Sequence, residues 1–191
     1  MNKDLIEVRW HGRGGQGAKT ASQLLAEAAI LDGKYIQAFP EFGPEREGAP
    51  IRAFTRISKD PIKLHTGVTN PGIVVVIDPT LLKSANVTDG MPDDGVLVVN
   101  TTETPAEIRK KINYKKGKVY TVDATSISLK VLGRDMPNTP MIGALLSAVE
   151  LVSIENIKKK IEETFLKKLG SKVVDQNFQA LESAYKEVKN G

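Results

Sequence analysis

Cysteine is absent from the 191 residues. Without thiols the chain forms no disulfide, no thiolate-bound zinc site and no ordinary four-cysteine iron–sulfur cluster. Histidine is nearly as scarce, with two residues, which argues against a catalytic metal held by protein ligands alone. Aromatic residues make up 5% of the chain, too few for the stacking platforms that bind single-stranded nucleic acid. No segment approaches about 18 continuous apolar residues. The opening Met1-Asn2-Lys3-Asp4-Leu5 lacks the apolar core of a signal peptide, so a cytoplasmic protein with no membrane span is expected. Internal repeats, low-complexity tracts and an evident linker are missing as well.

What is present is an ordinary globular composition, 40% apolar and 26% charged, with 16 Gly and 10 Pro. The length suits a single domain over residues 1–191, long enough to bury close to ~70% of its unfolded surface. The net charge of +4 owes much to Lys in the last third, where Lys158-Lys159-Lys160 and Lys167-Lys168 alternate with Glu. That pattern reads as solvated helix faces and not as a nucleic-acid surface.

Ile6, Val8 and Trp10 alternate with Glu7 and Arg9, the period of a half-buried strand. A glycine turn comes next, then Ala21, Leu24, Leu25, Ala28 and Leu31 at helical spacing, with Asp32-Gly33 as the stop. Tyr35 to Phe39 is the second strand, so the chain opens as a strand–helix–strand crossover. Ile51 to Ile57 alternates again. Ile73 to Ile77 is a continuous β-branched run, as a central strand buried on both faces requires. Asp78-Pro79 closes it, ahead of a short helix from Thr80. Val96 to Val99 and Val119 to Val122 are further strands, separated by a helix over Pro105 to Ile112. Thr139 as cap and Pro140 in the first turn start a helix running through Met141 to Val152. Ser153 caps the next helix, with Ile154, Ile157, Ile161 and Phe165 as its stripe and Gly170 as its end. A last helix carries Phe178, Leu181, Tyr185 and Val188. The fold class is α/β: a three-layer α/β/α arrangement on a mostly parallel, or mixed, sheet with a Rossmann-like start.

Gly12, Gly14 and Gly17 satisfy G-x-G-x-x-G where its physics requires, after a strand and at the opening of a helix. Backbone N–H groups there can approach an anion, with Arg13 and Lys19 adding positive charge. The same glycines also suit a bare tight turn that allows close helix–strand packing. A Walker loop is excluded, because Ala18 separates Gly17 from Lys19-Thr20. An NAD site is not supported either, since neither Asp32 nor Glu41 is an acid at the end of the second strand. Glu41 to Pro50 is the other distinctive segment, with glutamates around Arg46 and a path restricted by Gly and Pro. It suits either an exposed charged loop or a functional one.

These segments together carry a resemblance. His11 to Gly17 (HGRGGQG), Phe42 to Arg46 (FGPER) with Gly48-Ala49-Pro50, and Arg56-Ile57-Ser58 resemble the γ subunit of the 2-oxoacid:ferredoxin oxidoreductases. So do Ile77-Asp78, Val99-Asn100, Val122 to Thr125 and Asn138 to Ala144, in the family's order up to residue 144. The likeness is greatest to the pyruvate members. Gly72 stands where an acidic residue is expected after Pro71, and Glu47 where Arg often succeeds Glu45-Arg46; both bear on the substrate subclass.

The resemblance implies a subunit of a complex that converts pyruvate and CoA to acetyl-CoA, CO₂ and reduced ferredoxin, in company with α, β and δ subunits. Thiamine diphosphate, Mg and the iron–sulfur clusters are implied only in those partners, which the missing cysteines independently require of the clusters. The direct ligand implied here is CoA. Its phosphate cradle would be Gly12, Arg13, Gly14, Gly15, Gln16 and Gly17, and Glu45 and Arg46 would join that site or position a partner subunit. No catalytic residue and no metal ligand is expected. His11 either donates to a ligand or is satisfied by backbone, and His65 lies in a surface turn. Asn100 and Asp123 end strands, where they either meet a ligand or cap the next loop. Asn138 either faces a ligand or makes the local bonds that Asn favours. Trp10 belongs to the core or an interface. Three other readings stay open: a stand-alone nucleotide-binding module, a scaffold with an empty glycine turn, and a γ subunit serving another 2-oxoacid.

Overall fold

The computed structural model describes residues 4–41 and 48–191. Its centre is one seven-stranded sheet in the order β2-β3-β1-β4-β5-β6-β7. The strands are β1 (Leu5–Arg13), β2 (Tyr35–Pro40), β3 (Pro50–Ser58), β4 (Ile73–Val76), β5 (Val96–Asn100), β6 (Lys118–Val122) and β7 (Lys189–Asn190). The helices are α1 (Ala18–Ile30), α2 (Leu81–Ser84), α3 (Pro105–Lys111), α4 (Ala124–Leu132), α5 (Asn138–Ala148), α6 (Ile154–Leu169) and α7 (Ser171–Glu187).

β1, β4, β5 and β6 are mutually parallel, as their Val- and Ile-rich runs require. The opening crossover is modified: β3 lies between β1 and β2 and is antiparallel to both. The alternating patterns of β1 and β3 fit this placement, since an antiparallel pair readily lets each strand keep one apolar and one polar face. β7 adds a short antiparallel edge beside β6.

One face of the sheet carries Val8, Trp10, Ala53, Ile73, Val75 and Val98 into a large core shared with α1, α4, α5, α6 and α7. α5 is buried from Asn138 to Leu146 without interruption, because the sheet lies on one side of it and α7 on the other. Gly143 makes that contact possible: a Cβ there would stand 2.1 Å from the Leu181 carbonyl oxygen. On the opposite face Val74, Val76, Leu97 and Val99 pack against Leu81, Leu82 and Ile108 of α2 and α3.

Local chemistry sets the ends. Thr104 and Glu107 form a capping box on α3, and Ser153 caps α6 through the Asn156 N–H. α5 departs from expectation. It begins at Asn138 with Pro137 in the cap position, so Thr139 is inside the helix and its hydroxyl donates to Asn177 Oδ1 at 2.8 Å. It also stops at Ala148, with Val149 extended. Among the described residues no helix is long and apolar enough to cross a membrane.

Candidate functional site

The chain leaves β1 for β2 and β3 on one side and returns to β4 on the other, so the strand order reverses at the junction of the parallel strands β1 and β4. Ligands of open α/β sheets gather at such a point, outside the carboxyl ends of the strands. The glycine turn sits there, directly after β1.

Its shape is fixed by an acid far away in the chain. Asp78, at the end of β4, accepts from Arg13 Nε at 3.1 Å and from Gln16 Nε2 at 2.8 Å. The Thr80 hydroxyl and N–H donate to its other oxygen, and the same hydroxyl accepts from Arg13 Nη2 at 2.8 Å. Burial alone would raise the Asp78 pKa, but the hydrogen bonds from Thr80 and Gln16 and the Arg13 charge outweigh it and hold the carboxyl below its usual range. Gln16 also folds back so that its Oε1 accepts from the Arg13 N–H at 2.8 Å. The Gly14 N–H donates to the Ala49 carbonyl at 3.0 Å, and Arg13 Nη1 to the Gly48 carbonyl at 3.1 Å.

The structure therefore divides the expected cradle. Gly12 to Gly17 do form one turn at the switch point, but Arg13 and Gln16 serve as its internal struts. Gly17 takes φ 78° at the cap of α1, a backbone conformation that suits glycine. Glu45 and Arg46 lie outside the described residues. Asp78 is the residue that sequence reasoning missed. Its signals were an acid closing the most apolar strand and the Ile77-Asp78 likeness to the family, and nothing local tied it to Arg13.

Two cavities flank the turn, and Ile51 lines both. The first, about 460 Å³, opens on the β1–β3 face beside α2 and is lined by His11, Glu41, Arg52, Leu81 and Asp89. His11 is buried and accepts from Arg9 Nε at 3.0 Å through Nε2. A side chain, not the backbone, therefore satisfies its Nε2. Burial, reinforced by the charges of Arg9 and Arg52, pushes its pKa down to about 3, so it is a neutral imidazole with its proton on Nδ1. Arg9 in turn donates to the Val87 and Asp89 carbonyls at 3.1 and 2.7 Å. The second cavity, about 360 Å³, lies on the helix-covered side, between the starts of α1 and α5.

Asn100, Asp123 and Trp10 have structural partners. Asn100 donates to the Ile77 carbonyl and the Thr125 hydroxyl and accepts from the Thr125 N–H, tying β4 and α4 to β5. Asp123 caps α4 through the Ser126 N–H. Trp10 is core, its Nε1 donating to the Thr55 hydroxyl at 3.1 Å. His65 is exposed. Among the described residues, no group of three or more His, Cys, Asp or Glu could hold a metal ion.

Fold and turn thus define a doubly wound α/β protein with a preformed glycine turn at its switch point. Known proteins narrow the class further. Residues 7–187 match the family model of pyruvate ferredoxin/flavodoxin oxidoreductase. Pyruvate synthase subunit PorC of Thermotoga maritima is 52% identical over 187 residues, covering 98% of this chain and 96% of that protein. The pyruvate/ketoisovalerate oxidoreductases common subunit gamma of Pyrococcus furiosus is 49% identical, covering 97% and 98%. The crystal structure of pyruvate oxidoreductase subunit PORC from Thermotoga maritima superposes with a TM-score of 0.88 at 49% identity, covering 99% of each chain. The chain belongs to the pyruvate ferredoxin/flavodoxin oxidoreductase family.

Proposed function

We propose that the chain is the γ subunit of a pyruvate:ferredoxin oxidoreductase, which oxidatively decarboxylates pyruvate with CoA to acetyl-CoA, CO₂ and reduced ferredoxin. The observation that carries this reading is the 52% identity to PorC along almost the whole of both chains. The subunit works with α, β and δ chains and, through them, with ferredoxin. The family reading assigns thiamine diphosphate, its Mg and the iron–sulfur clusters elsewhere, and for the clusters the absence of cysteine agrees. They belong to the partner subunits. The work left to this chain is assembly and the binding of CoA, whose phosphates suit the glycine turn at the switch point. Glu45 and Arg46 join either that site or a subunit contact.

The Pyrococcus furiosus relative is named as common to pyruvate and ketoisovalerate enzymes. That favours a γ subunit that does not read the 2-oxoacid side chain, leaving substrate choice to the thiamine-bearing chains. Gentle purification from the source, with native mass, iron and thiamine analysis, tests the assignment. A large assembly containing both cofactors, and reducing ferredoxin only with pyruvate and CoA together, is the expected result. A lone chain or homodimer free of iron and thiamine would overturn it in favour of a stand-alone nucleotide-binding module.

A further inference from the structure

The two edges of the sheet are built differently. At one end β7 is two residues long, Lys189 and Asn190, both exposed. A strand so short, carrying Lys, discourages pairing with another chain. At the other end β2 runs for six residues, Tyr-Ile-Gln-Ala-Phe-Pro, without a charge. It pairs with β3 alone. The register is unbroken from Tyr35 against Ser58 to Pro40 against Ala53, so no bulge turns the edge away.

One bond fixes the direction of every peptide group in β2. The Glu41 N–H donates to the Arg52 carbonyl at 2.9 Å, continuing the β2–β3 register, and antiparallel partners bond at alternate residues. Tyr35, Gln37 and Phe39 therefore bond inward to β3. Ile36 and Ala38 point their N–H and C=O groups outward, where no strand among the described residues meets them. Pro40 offers only a carbonyl on that side, and the Lys34 N–H is turned back to the Ala29 carbonyl at 3.1 Å.

Apolar surface gathers at the same edge. Among the described residues the exposed large hydrophobic side chains include Ile30, Leu31, Tyr35 and Leu64. Ile30 and Leu31 lead into the turn before β2, and the Leu64 carbonyl accepts from Gln37 Nε2 at 2.8 Å. A groove of about 460 Å³ runs beside the strand, lined by residues 36–39, Arg56, Leu64 and His65.

We infer that this edge is an interface between two copies of this chain, whose β2 strands pair antiparallel across a two-fold axis at Gln37. In that register Ile36 of one copy exchanges both backbone bonds with Ala38 of the other, twice over by symmetry, and Tyr35 faces Phe39 as a cross-strand aromatic pair. The neighbouring registers are poorer. An axis at Ala38 sets Ile36 against Pro40, which has no N–H, and an axis at Ile36 sets Ala38 against Lys34, whose N–H is already used. The Gln37 amides that meet at the axis are engaged within their own copies, accepting from Arg56 at 3.0 Å and donating to Leu64. Charge agrees as well. A charged residue at a two-fold axis would confront its own copy, and β2 has none. Antiparallel pairing also brings the Lys34 end of each strand to the Glu41 end of the other, opposite signs together.

Sedimentation equilibrium of the full chain, over a concentration series up to about 100 μM, tests this. A dimer is expected. Ala38→Pro deletes an outward N–H that the fold of one copy does not use, and edge strands tolerate proline at such positions. Tyr35→Lys places a charge on an exposed site and leaves the fold intact. Each should raise the dimer dissociation constant at least about tenfold. Because the chain has no cysteine, Gln37→Cys introduces a single thiol that meets its copy at the axis and should give a disulfide-linked dimer on mild oxidation. Tyr185→Cys, exposed on α7, should not do so at the same concentration. A chain that stays monomeric throughout the series overturns the inference, as does a dimer indifferent to both edge variants or equal cross-linking at both cysteines. If the chain is monomeric and the Ile36 and Ala38 amides gain exchange protection only in the assembled complex, the edge receives a strand of another subunit instead. None of these outcomes bears on the subunit assignment, which is tested on material purified from the source.

Discussion

Strand β1 shows two solutions to burial on its two sides. Toward the helices it presents Val8 and Trp10 to a continuous apolar core. Toward the other side it presents Glu7, Arg9 and His11, opposite Arg56, Phe54 and Arg52 of β3, and there loops, not helices, complete the covering. Arg9 reaches the Val87 and Asp89 carbonyls. Arg56 is fully buried, donating to Glu7 at 2.8 Å, to Gln37 at 3.0 Å and to the Gly67 carbonyl at 3.3 Å, with the Phe39 ring 5.6 Å away. The helix side is held by shape, so it is vulnerable to added volume. The loop side is held by donors and acceptors, so it is vulnerable to lost partners and to protons.

The sharpest way to break the helix side is Gly143→Ala. The new methyl meets the Leu181 backbone at 2.1 Å, and α7 must move off α5, at a cost of roughly 3 kcal/mol. Denaturant midpoints should fall accordingly, and a loss under about 1 kcal/mol would show that the contact is loose. On the loop side Arg56→Ala should cost about 2 kcal/mol, because it strands the partly buried Glu7 carboxylate and the Gly67 carbonyl. Adding Glu7→Gln should restore part of that loss. Strict additivity of the two substitutions would deny the coupling.

The smallest effect is a pH dependence carried by His11. Its folded pKa is about 3, below the 6.5 of an unfolded histidine, so the unfolded chain binds the extra proton. The stability His11 contributes is complete above pH 6.5 and is lost as pH falls toward 3. Between about pH 7 and pH 5.5 the loss should be about 1 kcal/mol. His11→Gln should remove that part of the slope, and an unaltered pH profile in the variant would contradict the buried neutral imidazole.

The same contrast explains what was legible in the sequence. Strands β4 and β5 and the stripe of α6 announce themselves, because burial of Val and Ile leaves a pattern. The first half of the glycine motif was legible too, since strand, turn and helix are consecutive. α4 was not: Thr125, Ile127 and Val131 are β-branched residues that lower helix propensity, and packing against α7 decides its state. The start of α5 shifted by two residues, and Thr139 bonds across to Asn177 instead of capping its own helix. The interleaving of β3 left no trace, as strand order depends on contacts across the chain. The bonds of Arg13 and Gln16 to Asp78 were illegible for the same reason: their partner is 65 and 62 residues away, and no local spacing encodes such a bond.

The Asp78 clamp bears on kinetics as well as geometry. Fixing a residue's backbone costs roughly 1–2 kcal/mol in entropy at 25 °C, and a glycine-rich segment has more freedom to lose than most. Because Asp78, Ala49 and Gln16 already hold residues 13 to 16, that loss is incurred when the protein folds and not when an anion arrives. On the proposed function, the turn is a rigid template whose encounter rate with an anion is governed by diffusion and long-range attraction, not by loop rearrangement. On that reading, affinity differences among anions reside in how fast each one leaves.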